Sequence, residues 1–503
     1  MEKYVKKILA SRVYEVANET PLQHARILTA RLSNQVLLKR EDMQPVFSFK
    51  IRGAYNKIVQ LSDEDKAKGV IAASAGNHAQ GVAYAARTLG LKATIVMGRN
   101  TPSIKVNAVK DLGARVVLFG DAYDDAAKHA AELVAAEGFV YIHPYDDVDV
   151  IAGQGTVGME IMNQHRGAPD VIFVPVGGGG LIAGISAYVK YLSPKTKIVG
   201  VEAEGSACLT AALAAGRRVK LPFETLDLFA EGVSVAQIGK EPFNIAKRCV
   251  DTTITVNTDE ICAAIKDLFD ETRSIAEPSG ALAVAGMKKY IVQTGVTGSD
   301  MVAVVSGANV NFDRLRHISE RAEVGEHREV ILGVTIPERK GSFRKFCRVI
   351  GKHPVSEFNY RYAGGEEAHV YVGLQVVASD DRSRLLATLR KQYVVQDMTD
   401  NEAAKLHVRH MVGGRAFGAT DELLYRFEFP ERPGALARFL GVLGTGWNIT
   451  MFHYRNHGAA WGRVLVGFEA QAKERRKLTK YLQRIGYRYW EETENPAYQL
   501  FLR

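Results

Sequence analysis

Between about residue 20 and residue 310 the chain alternates short β-branched runs with longer alanine-rich stretches of helical period. The segments 69–73, 93–97, 115–119, 171–176, 197–201 and 301–305 read as strands, with helices such as Asn77 to Leu89 and Tyr123 to Glu137 between them. This alternation predicts an α/β fold in which a mostly parallel sheet is covered by helices on both faces.

The pattern changes after residue 313. Asp313 to Glu329 is densely charged and reads as a linker or connecting helix, and beyond it the chain repeats itself. Ile336 to Gly351 aligns with Phe429 to Gly444, with Pro, Glu, Arg, Gly, Phe, Val and Gly recurring in register, and Glu357 to Tyr362 aligns with Met451 to Asn456. A matched helix and strand in one register indicate duplication. Each copy reads strand, helix, strand, strand, helix, strand. In the first copy these are 330–336, a helix from about Ser342, 355–362, 369–377 and a helix over 382–392. The reading predicts a first domain over 1–320 and two ferredoxin-like βαββαβ modules over 329–401 and 423–495, divided by Gly413 to Ala419. Neither module holds a nucleophile with a base, so binding or assembly is their expected role.

Composition narrows the class. At 503 residues, 47% apolar and 24% charged, the chain suggests a soluble globular protein of about two to four domains. The net charge of +9 is spread without any block of like charges, which favours a solvated surface over a nucleic-acid partner. Cys208, Cys249, Cys262 and Cys347 are scattered, as expected in a reducing compartment and not in a thiolate metal site. The mixed charges of Met1 to Glu19 do not read as a signal peptide. Val171 to Val189 is uncharged, but Pro175 and four glycines break it into strand, loop and helix, so no membrane span is expected and the cytoplasm is the expected location.

Four segments carry candidate chemistry: Ser48 to Ala54 around Lys50, Ser74 to Gly81, Gly177 to Gly180, and Ser306 to Asn309. The four glycines stand between an apolar strand and an apolar helix, where main-chain N–H groups and the helix dipole favour an anion such as phosphate. Lys50, flanked by Phe49 and Ile51, is placed for partial desolvation, which leaves more of the neutral amine that a Schiff base requires. Ser74 to Gly81 follows a strand and opens a helix, offering hydroxyl, amides and Asn77, and the Ser306 hydroxyl could meet a pyridine nitrogen. Each segment also has a plain reading as a turn, a cap or a surface lysine. Gly178, Gly180 and Ala183 with Glu202 further suit a dinucleotide fingerprint, so NAD stays open beside pyridoxal phosphate (PLP) on these residues alone.

Taken together, the four segments closely resemble those of the biosynthetic threonine dehydratases, or threonine deaminases, of the fold type II, tryptophan-synthase-β-like group of PLP enzymes. The likeness covers nearly the whole chain, and the duplicated modules resemble that family's paired ACT-like regulatory domains. The resemblance implies that Lys50 joins PLP as a Schiff base and serves as the catalytic base. Asn77 would bond the ring oxygen, Gly177, Gly178, Gly179, Gly180 and Leu181 would hold the phosphate, and Ser306 would face the pyridine nitrogen. Ser74, Ala75, Gly76, Asn77 and His78 would grip the substrate carboxylate. It further implies a lyase that turns L-threonine into 2-oxobutanoate and ammonia for isoleucine biosynthesis, acts also on L-serine, is inhibited by isoleucine against valine, and assembles as a homotetramer; no residue is assigned to a metal. Phe343, Tyr360, Leu436 and Tyr454 are the candidate effector surroundings. The alternatives are a sister enzyme such as a serine dehydratase or racemase, and a non-catalytic amino-acid sensor.

Overall fold

Runs of four or five consecutive apolar residues leave no face for water, and in the computed structural model they become interior strands of parallel sheets. The structure describes residues 1–99, 101–120, 123–326, 328–351, 353–362, 364–376, 379–401, 404–405, 408–411, 413, 416, 421–430, 436, 439–441, 447–455, 461–496, 498 and 502. It divides into two units, Met1–Ala322 and Glu323–Arg503.

The first unit contains β1 (Leu22–His24), β2 (Gln35–Arg40), β3 (Val70–Ala73), β4 (Ala93–Met97), β5 (Arg115–Leu118), β6 (Val140–Tyr141), β7 (Val171–Pro175), β8 (Lys197–Ala203), β9 (Thr252–Val256) and β10 (Asp300–Val305). Every residue of β3, β4 and β7 is buried. The strands form two sheets where one was expected: a six-stranded sheet in the order β1-β2-β10-β7-β8-β9 and a four-stranded sheet in the order β5-β4-β3-β6. All neighbours are parallel except β1 and β2. The hydrophobic pattern marks strands without naming their partners, and residues 70–141 pair only among themselves around a core that includes Ile58, Val82 and Ile95.

Three helices joined by backbone contact carry the lysine segment and the glycine loop. A Cβ on Gly153, in the helix Val148–Gln164, would lie 2.5 Å from the carbonyl oxygen of Arg52, in the helix Lys50–Val59. On its other side the same helix meets Gly180–Leu192, where a Cβ on Gly184 would lie 2.6 Å from the amide nitrogen of Gly155. Side chains at these points would push the helices apart, so the small residues set the spacing from Lys50 to the loop that starts Gly180–Leu192. The uncharged stretch noted in the sequence is β7, a glycine loop and this helix. No helix among the described residues is long and apolar enough to cross a membrane.

The charged stretch after residue 313 is largely the helix Arg314–Gly325. The second unit holds β11 (Glu329–Pro337), β12 (Val355–Arg361), β13 (Glu367–Gln375), β14 (Val394–Asp397), β15 (Glu422–Pro430), β16 (Asn448–Arg455), β17 (Trp461–Glu469) and β18 (Arg488–Glu491). They form one antiparallel sheet in the order β14-β11-β13-β12-β16-β17-β15-β18. The first copy has helices Ser342–Ile350 and Ser379–Arg390, as expected of βαββαβ, and the second has Arg475–Ile485. The first helix expected of the second copy, and Gly413 to Ala419, fall largely outside the described residues.

The order is a palindrome. Asn359 pairs with His453, its counterpart in the repeat, and Glu357 and Arg361 pair with Arg455 and Met451, so the copies are related by a local two-fold through that pair. Polar contacts repeat as well. Ser356 donates to Glu329 as Thr450 donates to Glu422, and the amides of Ile331 and Leu424 each donate to a threonine, Thr399 and Thr493, at 3.1 Å.

Candidate active site

The candidate segments lie at the carboxyl ends of parallel strands, where α/β sheets place their ligands. Ser74 follows β3, Gly177 follows β7 and Ser306 follows β10. The lysine segment is tied to the last of these by the main chain. Phe49 N donates to the Ser306 carbonyl at 3.3 Å, Ala308 N donates to the Phe47 carbonyl at 2.9 Å, and Ser48 bridges Gly307. Phe47 takes a φ of +54° to make that turn.

Around one cavity of about 450 Å³ the structure gathers Phe49, Lys50, Asn77, Gly177, Gly178, Gly179, Gly180, Leu181 and Ser306. Lys50 Nζ donates to the carbonyl of Pro144 at 2.9 Å and lies 5.3 Å from the centre of the Phe49 ring. Burial pulls its pKa down to about 8, offset in part by Glu277, so about a tenth of the amine is neutral at pH 7, far more than an exposed lysine would offer. Ser306 is buried and its hydroxyl donates to the Ser279 carbonyl at 3.3 Å.

The glycine loop is a cradle that side chains would fill. A Cβ on Gly177 would lie 2.8 Å from Val233 Cα, and one on Gly178 would lie 2.1 Å from the Tyr145 ring. Gly179 has a φ of +90° and caps Gly180–Leu192, an N-terminus with its dipole turned to the cavity loop. Gln154 Oε1, buried where a Cβ on Gly180 would come within 2.5 Å, has no hydrogen-bond partner among the described residues. Lys50 is the one cationic side chain among the described lining residues, so main-chain N–H groups are left to meet a phosphate. An amine, an anion cradle, a buried hydroxyl and an amide around one cavity fit PLP.

Other expected residues stand beside the cavity. Ser74 Oγ accepts from Gly76 N at 3.3 Å, and a Cβ on Gly76 would meet no atom within 4 Å, so the backbone here is open to a small ligand. The His78 ring turns away to the Ile142 carbonyl, 2.7 Å from Nε2, and burial together with Lys50 drives its pKa down to about 3. Only the main chain of His78 is left for a carboxylate.

The cavity also contains residues that the motifs did not mark: Tyr145, Gly232, Val233, Glu277 and Ser279. Glu277 accepts from Asn77 Nδ2 at 2.5 Å, and burial raises its carboxyl to about 7. Its one sequence signal is Pro278, which marks a helix start and no chemistry. Glu202, the acid that kept a dinucleotide open, is committed elsewhere. It accepts from Leu209 N at 2.7 Å and from Thr210 N and Oγ1 at 2.9 and 2.6 Å, capping the helix Cys208–Ala215.

Residues 13–307 match the family described as pyridoxal-phosphate dependent enzyme, and residues 320–408 and 413–502 each match the C-terminal regulatory domain of threonine dehydratase. The biosynthetic L-threonine dehydratase of Burkholderia multivorans is 51% identical over 503 residues, 99% of either chain. The chain belongs to the biosynthetic threonine dehydratase family. The Escherichia coli member is 52% identical over 501 residues, covering 99% of this chain and 97% of its own. Among solved structures, processed threonine deaminase isoform 2 of Solanum lycopersicum is 49% identical with a TM-score of 0.62, over 64% of this chain and 93% of its own. Maize serine racemase is 31% identical with a TM-score of 0.59, over 65% of this chain and 98% of its own. The catalytic unit is thus a fold type II PLP enzyme, PLP is its cofactor, and an antiparallel regulatory unit follows it.

Proposed function

We propose that this protein is an L-threonine ammonia-lyase that converts L-threonine to 2-oxobutanoate and ammonia, with L-serine as a second substrate. The observation that carries the reading is the convergence of Lys50, Asn77, Gly177 to Gly180 and Ser306 on one cavity, in a chain that also bears two threonine dehydratase regulatory domains. Bound PLP supplies an electron sink for charge that develops at the substrate Cα. Lys50 would hold the cofactor through its amine, and that amine, its pKa lowered by burial to about 8, would be the group that takes the Cα proton. Gly177 to Gly180 and Leu181 would hold the phosphate, Asn77 would donate to the ring oxygen, and the backbone of Ser74 to His78 would hold the substrate carboxylate. The Ser306 hydroxyl would face the ring nitrogen as a neutral partner, without the charge by which a carboxylate would keep that nitrogen protonated. This favours loss of the β-hydroxyl over chemistry that needs a long-lived carbanion.

The modules at 329–401 and 423–495 bind isoleucine as feedback inhibitor and valine as its opponent. A cavity of about 370 Å³ has Glu338, three cations (Arg339, Lys340 and Arg344) and Phe343 from one copy and Leu440 and Trp447 from the other, charged groups of both signs and apolar walls that suit a free branched amino acid. Tyr360 donates to Glu338 at 2.6 Å beside it, whereas Tyr360, Leu436 and Tyr454 themselves are buried in the shared core. Coupling of ~1 to 3 kcal/mol between effector and substrate is the usual scale. The enzyme works in the cytoplasm as a homotetramer of small-molecule sites. A ketoacid assay with L-threonine tests the reading: yellow protein that forms 2-oxobutanoate, is slowed by isoleucine, and loses at least ~10³-fold in rate as Lys50→Ala supports it. A yellow protein indifferent to threonine would point to a sister enzyme, and an undiminished Lys50→Ala would overturn the role of the lysine.

A further inference from the structure

Asn309 ends the segment Ser306 to Asn309, and the reading above gives it no task. Its side-chain amide donates twice, to the main-chain carbonyl of Val46 at 2.8 Å and to Asn77 Oδ1 at 2.7 Å. A peptide carbonyl only accepts, so the end of Asn309 that faces Val46 has to be its NH2. That choice propagates along the chain of contacts. The Asn77 atom that meets the second N–H of Asn309 has to be oxygen, and this turns the Asn77 NH2 toward Glu277, where Nδ2 donates to Oε1 at 2.5 Å. Glu277 takes one of the two hydrogens, and the other remains for a ligand in the cavity that Asn77 lines. The amide is packed between glycines: a Cβ on Gly307 or Gly232 would come within 3.4 or 3.9 Å of Nδ2.

We propose that Asn309 is a positioning residue for the cofactor: the hydrogen bonds from Val46 through Asn309 and Asn77 to Glu277 set an N–H of Asn77, and not its oxygen, toward the PLP ring oxygen. The proposal rests on the assignment of Asn77 to that oxygen. A reversed Asn77 amide would set its NH2 against the NH2 of Asn309, which the Val46 carbonyl holds in place, and so leave buried donors without an acceptor at that end whatever the protonation of Glu277. The orientation is therefore in place before the cofactor arrives, and the site does not have to reorganise to receive it.

A donor on the ring oxygen stabilises its negative charge and so lowers the pH at which the adjoining link between lysine and cofactor gives up its proton. The test is a pH titration of the visible absorption band of the PLP-loaded, full-length protein. The charged groups that face Glu277, namely Lys50, Lys105 and Glu231, are left untouched. Asn309→Asp offers Asn77 no donor and is expected to raise the midpoint by about one pH unit, a tenfold change in proton affinity. Asn309→Ala removes the donor without adding a rival acceptor and should raise it less. In an Asn77→Ala background the Asn309→Asp change should add nothing, since its effect passes through that amide. A wild-type midpoint in Asn309→Asp, or an equal shift with and without Asn77, overturns the proposal. A wild-type midpoint in Asn77→Ala alone instead overturns the assignment of Asn77 on which it rests. If neither Asn309 variant takes up PLP while Asn77→Ala does, Asn309 is structural and the proposal fails.

Discussion

Replacing Arg52 by methionine removes a guanidinium from a place that water does not reach. Arg52, Glu41 and Lys39 are 0% exposed and Glu160 is 1% exposed. Arg52 grips Glu41 through Nε and Nη2 at 2.8 and 2.7 Å, and Glu160 through Nη1 and Nη2 at 2.5 and 2.9 Å. Nη1 also reaches Thr156 Oγ1 at 3.0 Å and Nη2 the Asn18 carbonyl at 3.1 Å, so six contacts share five N–H groups, while Lys39 Nζ lies 2.5 Å from Glu160. Burial by itself would raise the Glu41 carboxyl, but the adjacent guanidinium overrides it and holds the group below its ordinary value. Breaking one buried pair costs ~3 to 5 kcal/mol. Arg52 serves two acids at once, so the loss expected for Arg52→Met is at the upper end, about 5 kcal/mol near pH 8. A stranded carboxyl escapes by binding a proton, and that gives the signature. In the variant its folded pKa moves above the unfolded value of about 4.3, so the share of the penalty that comes from ionising it is absent below that pH and grows as pH rises through the new pKa, on top of a share from lost contacts that does not titrate. Urea unfolding of wild-type and variant holoprotein should therefore show a deficit smaller by about 2 kcal/mol near pH 5, equivalent to about 1.5 units at ~1.4 kcal/mol each. A deficit below about 1 kcal/mol, or one equal at both pH values, would refute the reasoning.

Gly178→Ala should displace the Tyr145 ring, because the new Cβ would lie 2.1 Å from it; PLP affinity measured by fluorescence titration is expected to fall at least ~10-fold, about 1.4 kcal/mol, with folding retained. In the cofactor-free protein Glu277 is raised from 4.5 to about 7. Its neutral form is favoured on folding, so the contribution is intact below pH 4.5 and is lost as pH rises through 7, a change of about 3 kcal/mol for some 2.5 units. Glu277→Gln should remove that slope from the pH dependence of unfolding, and an unchanged slope would count against a buried neutral carboxyl.

The parts of the site that could be read in the sequence are those where the main chain makes the demand. Four glycines between an apolar strand and an apolar helix can do little except bring backbone close to something, and Lys50 between Phe49 and Ile51 already carries its desolvation in its neighbours. Tyr145, Gly232, Glu277 and Ser279 reach the cavity from other loops and helix starts, with no period or spacing to connect them to it. His78 shows that membership of a segment does not fix where a ring points. It belongs to an informative segment, yet its ring is held by Ile142. In the fold, strand positions were legible because buried parallel strands are apolar throughout, while their division between two sheets depends on pairing that composition does not encode. The duplication was legible as repeated residues, but the register of Asn359 on His453 that fuses the copies was not.

That fusion has a consequence for the open borders of the regulatory sheet. A copy standing alone would expose β12, seven residues long with Phe358 and Tyr360 in its core, or β16, eight residues long, as a strand with unmet N–H and C=O groups. Such a border invites pairing with any other chain. Joined to each other, the two long strands shield one another, and the outer borders fall to β14 and β18, of four residues each. The second copy therefore covers a strand border of the first as well as being a second regulatory domain. Halves cut apart in the segment between them would reassociate along this seam or precipitate, which makes it difficult for the chain to lose either copy and keep the other.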